Sequence, residues 1–306
     1  MTMRRLPAFL LLLLAAASQA QAALYVTIVQ GLGGDDLWTA RFNEQRHRIE
    51  EASATLADAD HLAVFSGEDA TRDNLLAHFG RLDTAMSDDD RAAIYLIGHG
   101  SYDGEQYKFN IPGPDITDKD LADILAALPG RNHFLVNTSS ASGAMLDSVA
   151  SDRVIVMSAT RNGNEKNATE FGAFFADALV SESADINKNN AVSIQEAFDF
   201  AERGVTGFFE RDGKLATEHP QMRGEGASSF SIARLQEADT GDNDPRVSAL
   251  LSRRQELDNQ IEELQLRRGE YSNADYIQRL QALILESAGV SEQIDALREG
   301  NGANGD

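Results

Sequence analysis

Two apolar stretches that break at polar residues decide the fold of this chain. The first is AAIYLIGHGS (residues 92–101), whose apolar run ends at His99 between two glycines. The second is HFLVNTSSASG (residues 133–143), whose apolar run ends in small hydroxyl residues that include Ser140. Short apolar runs bounded in this way are typical of strands that are buried on both faces. Because sites form at the carboxyl ends of strands in an open parallel sheet, an imidazole and a hydroxyl are expected at one edge.

Further strands and helices alternate around these two stretches. Strands are predicted at residues 24–29, 61–65 and 153–159, and helices at residues 37–56, 70–82, 117–128, 169–181 and 194–202. This alternation predicts an α/β fold with a mostly parallel sheet covered by helices. Residues 102–114 and the glycine-rich residues 211–230 are predicted to be irregular.

The first 22 residues have the form of an export leader. Arg4 and Arg5 precede an apolar run at residues 6–17, and an A-x-A site follows at residues 20–22. Residues 1–22 are therefore predicted to be removed before Ala23, which places the protein in the periplasm or outside the cell. The apolar run is too short to span a bilayer, and no transmembrane segment is expected after its removal.

Charge and cysteine content restrict the partners and the source of stability. The formal net charge is −22 at pH 7, which argues against nucleic acid and anionic membranes as partners. The chain contains no cysteine, so it has no disulfides and must rest on a hydrophobic core.

The region after Pro245 changes in character. Residues 23–235 are predicted to form the α/β domain, residues 236–245 a polar linker, and residues 300–306 a disordered tail. In residues 246–299, two apolar stripes at alternating three- and four-residue spacing predict an antiparallel helical hairpin. This hairpin is expected to fold on itself, dock on the domain, or pair with a partner or with another copy of the chain as a homo-oligomer.

Residues 185–196 follow the spacing of an EF-hand calcium loop. Asparagine stands at position 6 in place of the usual glycine, and only the first and last positions carry a charge, so weak Ca²⁺ binding is predicted. The alternative is a polar loop between two helices, capped by Ser193. The predicted metal ligands are Asp185, Asn187, Asn189, Ala191 (through its carbonyl), Ser193 and Glu196.

Residues 23–179 resemble the caspase-like fold of the legumain and caspase cysteine peptidases, and they are legumain-like in detail. In that family one strand ends in His-Gly, matched here by His99 and Gly100, and a later strand ends in Cys-x-Ser-Gly, matched by SASG (residues 140–143). The resemblance implies a three-layer sandwich. It also implies that Arg161 and Glu165, in the loop after the fifth strand, contact the substrate; the alternative is a surface ion pair between them.

The family's nucleophilic cysteine corresponds to Ser140, and no other cysteine replaces it. A serine hydroxyl is far less acidic than a thiol and needs a tuned base, usually with a third residue that orients the histidine; the sequence identifies no such residue. His219 lies within reach of the site but is interpreted as a loop residue without a role. Cysteine-type proteolysis is therefore excluded. The favoured function is a pseudopeptidase that binds protein or peptide.

Two alternatives to the pseudopeptidase remain open. One is an active serine-type hydrolase that uses Ser140 and His99. The other is a structural or assembly protein that acts through the helical hairpin.

Overall fold

The computed structural model describes residues 22–211, 213–235 and 245–302. Its strands are β1 (Leu24–Gln30), β2 (Leu62–Phe65), β3 (Arg91–Ile97), β4 (Gly100–Tyr102), β5 (Tyr107–Phe109), β6 (Ile116–Thr117), β7 (His133–Asn137), β8 (Val154–Ser158), β9 (Ala191–Ser193), β10 (Gln221–Arg223) and β11 (Ser231–Arg234). Its α-helices are α1 (Asp36–Ser53), α2 (Arg72–Ala85), α3 (Asp118–Ala127), α4 (Leu146–Val149), α5 (Phe171–Ala178), α6 (Ile194–Arg211), α7 (Pro245–Leu266) and α8 (Asn273–Gly302).

A six-stranded sheet in the order β10-β8-β7-β3-β1-β2 forms the centre of the molecule. Five of its strands run parallel, and β10 pairs antiparallel with β8 at one edge. This arrangement confirms the predicted α/β fold with a mostly parallel sheet. Helices α1, α5 and α6 pack on one face, and α2, α3 and α4 pack on the other.

Two segments predicted to be irregular contain short strands. Within residues 102–114, Tyr102 ends β4 and residues 107–109 form β5 of a three-stranded antiparallel sheet that β6 completes, and residues 211–230 include β10. In β5 the side chains of Tyr107 and Phe109 are buried and that of Lys108 is only partly so. Alternation over three residues is too short to be recognised in a sequence, so these short strands were not predicted; most of the other described residues in both segments lie outside strands and α-helices, as predicted.

Threonine side chains define the start of two helices, as in a regular N-cap. Thr71 Oγ1 accepts a hydrogen bond from the N–H of Asn74 at the start of α2. Thr117 and Asp120 form a full capping box at the start of α3. These caps set the residue at which each helix begins, and so they determine the length of the connection that precedes it.

The C-terminal helices α7 and α8 pack on each other through Val247, Leu257, Val290 and Ile294. Helix α7 also contacts the α/β domain, where Arg91 pairs with Glu262. Helix α8 continues to Gly302, beyond the predicted end at residue 299. Residues 300–302, which were predicted to belong to the disordered tail, therefore form its last turn. Residues 1–21 of the predicted leader, residues 236–244 of the linker and residues 303–306 of the tail lie outside the described residues. Among the helices that the structure describes, none is long and apolar enough to cross a membrane.

Candidate functional site

The order of strands reverses at β1, and the candidate site lies beside this point. β2 is on one side of β1, whereas β3, β7 and β8 follow on the other. A reversal of this kind opens a crevice at the carboxyl ends of the two strands that flank it. The glycines that follow β1 and the histidine that follows β3 therefore meet at one place.

His99 is held in a defined orientation at this crevice. Its Nε2–H donates to the carbonyl oxygen of Gly33 at 3.2 Å, and its ring packs edge-on against Trp38 and Phe42 of α1. With the proton on Nε2, the neutral ring keeps its lone pair on Nδ1, where it can accept a proton. The group that orients His99 is a backbone carbonyl, so it could not be recognised from the type of any side chain in the sequence.

Ser140 lies directly beside the chain that follows His99. β3 and β7 are neighbours, and a Cβ atom on Gly100 would lie 2.6 Å from the carbonyl oxygen of Ser140. Only a glycine permits this approach, so His99 and Ser140 are brought to the same edge. Ser140 is 5% exposed, and within the described residues its Oγ has no hydrogen-bond partner, His99 included.

A buried chain of hydrogen bonds fixes the backbone of Ser140. Asn137 Nδ2 donates to the Tyr107 hydroxyl at 2.8 Å, and the Tyr107 hydroxyl lies 2.6 Å from Ser139 Oγ. The hydroxyl of Ser139 in turn donates to the carbonyl oxygen of Ser140 at 3.2 Å. Burial raises the pKa of Tyr107 well above its usual range, so its phenol stays neutral. Ser139 thus has a structural role, whereas no such hydrogen bond holds the hydroxyl of Ser140 among the described residues.

Two main-chain N–H groups near this edge have no hydrogen-bond partner among the described residues. The N–H of Asn110 donates to the carbonyl of His99 at 3.0 Å, which makes Gly100 and Phe109 a non-hydrogen-bonded pair. The N–H of Gly100 therefore points away from β5. The N–H of Ser140 likewise has no partner within the part of the chain that the structure describes. Such a pair of donors can bind a carbonyl oxygen or a developing oxyanion.

The Ser142-Gly143 part of the motif is fixed by the loop after β8. The N–H of Gly143 donates to Thr160 Oγ1 at 2.8 Å, and Ser142 Oγ accepts from the N–H of Ala159 at 3.1 Å. Between this pair and Ser140, Ala141 takes the left-handed conformation with φ 57°. A non-glycine residue in that region carries strain, which is common beside functional groups.

Glu165 and His219 form a second polar pair close to Ser140. Glu165 Oε1 lies 2.6 Å from His219 Nδ1, and the carbonyl of Glu165 accepts from the N–H of Ala141 at 2.8 Å. Arg161 contributes its N–H to Glu165 Oε2 at 2.8 Å, while its side chain is exposed. The structure thus pairs Glu165 with His219 and not with the guanidinium of Arg161. His219 was considered in the sequence only as a loop residue.

Glu218 is a buried carboxyl group that the sequence did not single out. It is 2% exposed and accepts from the N–H groups of Glu170 and Phe171 at the start of α5. Burial raises its pKa to about 7, and the charges of Glu170 and Glu165 act in the same direction. Glu218 lies in a segment without a regular apolar pattern, so its burial could not be predicted from the sequence.

Side-chain oxygens hold the backbone of the loop at residues 185–196. Asp185 Oδ1 and Oδ2 accept from the N–H groups of Asn189 and Asn190, and Asn189 Oδ1 accepts from Ala191. Asn190 takes the left-handed conformation (φ 60°) that position 6 requires. The oxygen-only donor set of this loop fits a hard cation.

The capping alternative is also visible in this loop. Ser193 Oγ accepts from the N–H of Glu196 at 3.2 Å, and Glu196 Oε2 accepts from the N–H of Ser193 at 3.0 Å. Across residues 22–211, 213–235 and 245–302, no group of three or more His, Cys, Asp or Glu side chains is placed to hold a metal. The loop itself supplies only two carboxylates, with amides, a hydroxyl and a carbonyl as its other oxygens.

Comparisons with known proteins leave the family of the chain open. No protein-family model matches it, and no curated protein matches it. Among solved structures, that of protein GSU0716 from Geobacter sulfurreducens aligns over 70% of this chain and 99% of its own, with a TM-score of 0.43 and 11% sequence identity. A similarity of this size assigns neither a fold family nor a function.

Proposed function

We propose that this chain is a caspase/legumain-like peptidase homologue that acts after export by binding a protein or peptide at the edge formed by His99 and Ser140. The observation that carries the proposal is the hydroxyl of Ser140, which stands in the nucleophile's place without a hydrogen bond to His99. The N–H groups of Gly100 and Ser140 supply donors for a peptide carbonyl.

Binding is favoured over hydrolysis for a chemical reason. A serine hydroxyl becomes a nucleophile only while a hydrogen-bonded base removes its proton, a requirement that the far more acidic thiol of a cysteine does not share to the same degree. The ring of His99 is instead fixed by Gly33, Trp38 and Phe42. Thiol chemistry is excluded because the chain has no cysteine.

Peptide binding without turnover is the expected behaviour of the chain from Ala23 onward. Incubation with peptide libraries should give retained ligands and no cleaved products, and Ser140→Ala should leave their affinity unchanged. Because a Cβ atom on Gly100 would lie 2.6 Å from the carbonyl oxygen of Ser140, Gly100→Ala should displace that backbone and weaken binding by about tenfold, a loss of roughly 1.4 kcal/mol. Gly80→Ala, in open space on α2, serves as the matched control. Cleavage by the parent chain would contradict the proposal.

An active serine hydrolase is the second candidate, and one observation favours it. The Gly33 carbonyl orients His99 and leaves Nδ1 available as a base, as a third group does in serine hydrolases. This candidate predicts stoichiometric labelling of Ser140 by a fluorophosphonate, detected by peptide mass spectrometry and lost in His99→Ala. Absence of labelling in a folded sample would reject it.

We also propose that the loop at residues 185–196 binds Ca²⁺ weakly and holds α5 and α6 in place. For a dissociation constant of about 0.1–1 mM, 10 mM Ca²⁺ should stabilise the fold by about 1.4–2.7 kcal/mol, measured as a rise in melting temperature. Asp185→Ala should abolish the rise, whereas Glu182→Ala, which removes an exposed charge nearby, should preserve it. An unchanged melting temperature in the parent chain would overturn the assignment.

A further inference from the structure

The residue that follows the predicted leader is held by a buried carboxylate. The main-chain nitrogen of Ala23 donates to Asp90 Oδ1 at 2.8 Å, and the N–H of Ser87 donates to Asp90 Oδ2 at 2.7 Å. The carbonyl of Ala23 accepts from the N–H of Arg91 at 2.9 Å. Ala23 is therefore fixed on both sides where it enters β1.

Asp90 lacks the cation that a buried carboxylate normally has. It is 7% exposed, and among the described residues no Lys, Arg or His side chain forms an ion pair with it. The nearest guanidinium in sequence, that of Arg91, pairs with Glu262 instead. Buried carboxylates are usually paired with a positive charge, because two N–H groups only partly replace their hydration.

We propose that cleavage before Ala23 supplies this cation: the new α-ammonium group of Ala23 forms a buried ion pair with Asp90, so that processing of the chain completes its fold. A leader peptidase hydrolyses the Ala22–Ala23 peptide bond with one water molecule. The leader departs with the carboxylate of Ala22, and the freed amine takes up a proton at neutral pH. The inference rests on the predicted cleavage site and is independent of what binds at His99 and Ser140.

The surroundings of Ala23 leave room for a chain terminus. A cavity of about 260 Å³ adjoins Ala22 and Ala23 between the α/β domain and α7. Carboxylate and guanidinium side chains line it in equal number: Asp58, Asp89, Glu262 and Glu263, and Arg91, Arg131, Arg234 and Arg267. A terminus freed here keeps contact with water while its nitrogen stays on Asp90.

A double-mutant cycle tests the ion pair directly. The chain 23–306 is prepared with a free amine or an acetylated one, each in the parent and in Asp90→Asn. Acetylation should lower the melting temperature by about 5 °C with Asp90 present and by less than about 1 °C in Asp90→Asn. In Asp89→Asn, which changes the exposed neighbouring aspartate, acetylation should cost the same as in the parent. The proposal would be overturned if acetylation lowered the melting temperature equally in the parent and in Asp90→Asn.

Two measurements on the parent chain need no substitution at Asp90. The α-amine should react with an amine-selective reagent at least about tenfold more slowly in the folded chain than in urea, because a paired, partly buried amine is a poor nucleophile. Equal rates would exclude the ion pair. The mass of the exported protein should correspond to a start at Ala23. A different start would exclude the processing step while leaving the ion-pair measurements valid for the chain 23–306.

Discussion

Ser140→Cys is expected to convert the chain into a peptidase whose activity depends on His99. A cysteine thiol has a pKa of about 8.5, so a thiolate forms readily near a neutral imidazole, whereas a serine hydroxyl stays protonated. The N–H groups of Gly100 and Ser140 have no acceptor among the described residues, so both are available to an oxyanion. The substitution therefore changes only the nucleophile.

Peptide cleavage by Ser140→Cys should exceed that of the parent chain by at least about 100-fold, because the thiol forms a nucleophilic thiolate near neutral pH and the serine hydroxyl does not. Ser139→Cys is the matched control: Ser139 is fully buried in the hydrogen-bonded chain with Tyr107 and should give no activity. A folded but inactive Ser140→Cys would show that the edge lacks peptidase geometry. Cleavage that survives His99→Ala would indicate His219, held by Glu165, as the base.

The sequence predicted the central sheet, and the position of His99 and Ser140 after two of its apolar strands, because both depend on long apolar runs that end abruptly. Five parallel strands follow directly from such runs. The elements that it did not predict are short or lack a pattern. β5 and β10 have three residues each, and their pairing depends on partners elsewhere in the sheet.

The supporting groups of the site could not be found for a different reason. Gly33 acts through its carbonyl, a group that every residue has. Tyr107 lies in a segment predicted to be irregular, and its role depends on contact with Asn137 and Ser139. His219 and Glu165 are 54 residues apart in the chain, so only the fold brings them together. Single-sequence patterns describe local spacing and contain no information about such pairs.

The free energy of unfolding is expected to fall as the pH rises from about 4.5 to about 7, because of Glu218. In the unfolded chain this carboxyl loses its proton near its ordinary pKa of 4.5, whereas in the folded chain burial raises the pKa to about 7. Between these values the folded state binds the extra proton, so its advantage is complete at low pH and is lost as the pH passes 7. A difference of this size corresponds to about 3 kcal/mol.

Glu218→Gln should remove this contribution, because a neutral amide can still accept the N–H of Glu170 without the cost of a buried charge. Urea unfolding at pH 4, 6 and 8 should show the variant about as stable as the parent at pH 4 and clearly more stable at pH 8. Glu225→Gln, at an exposed carboxyl on the same segment, should leave the pH profile unchanged. If the free energies of unfolding of Glu218→Gln and the parent changed in parallel with pH, the prediction would be wrong, because the fold would then stabilise the charge of Glu218. Because His219 follows Glu218 directly and contacts Glu165, the same titration should also alter ligand affinity at the Ser140 edge.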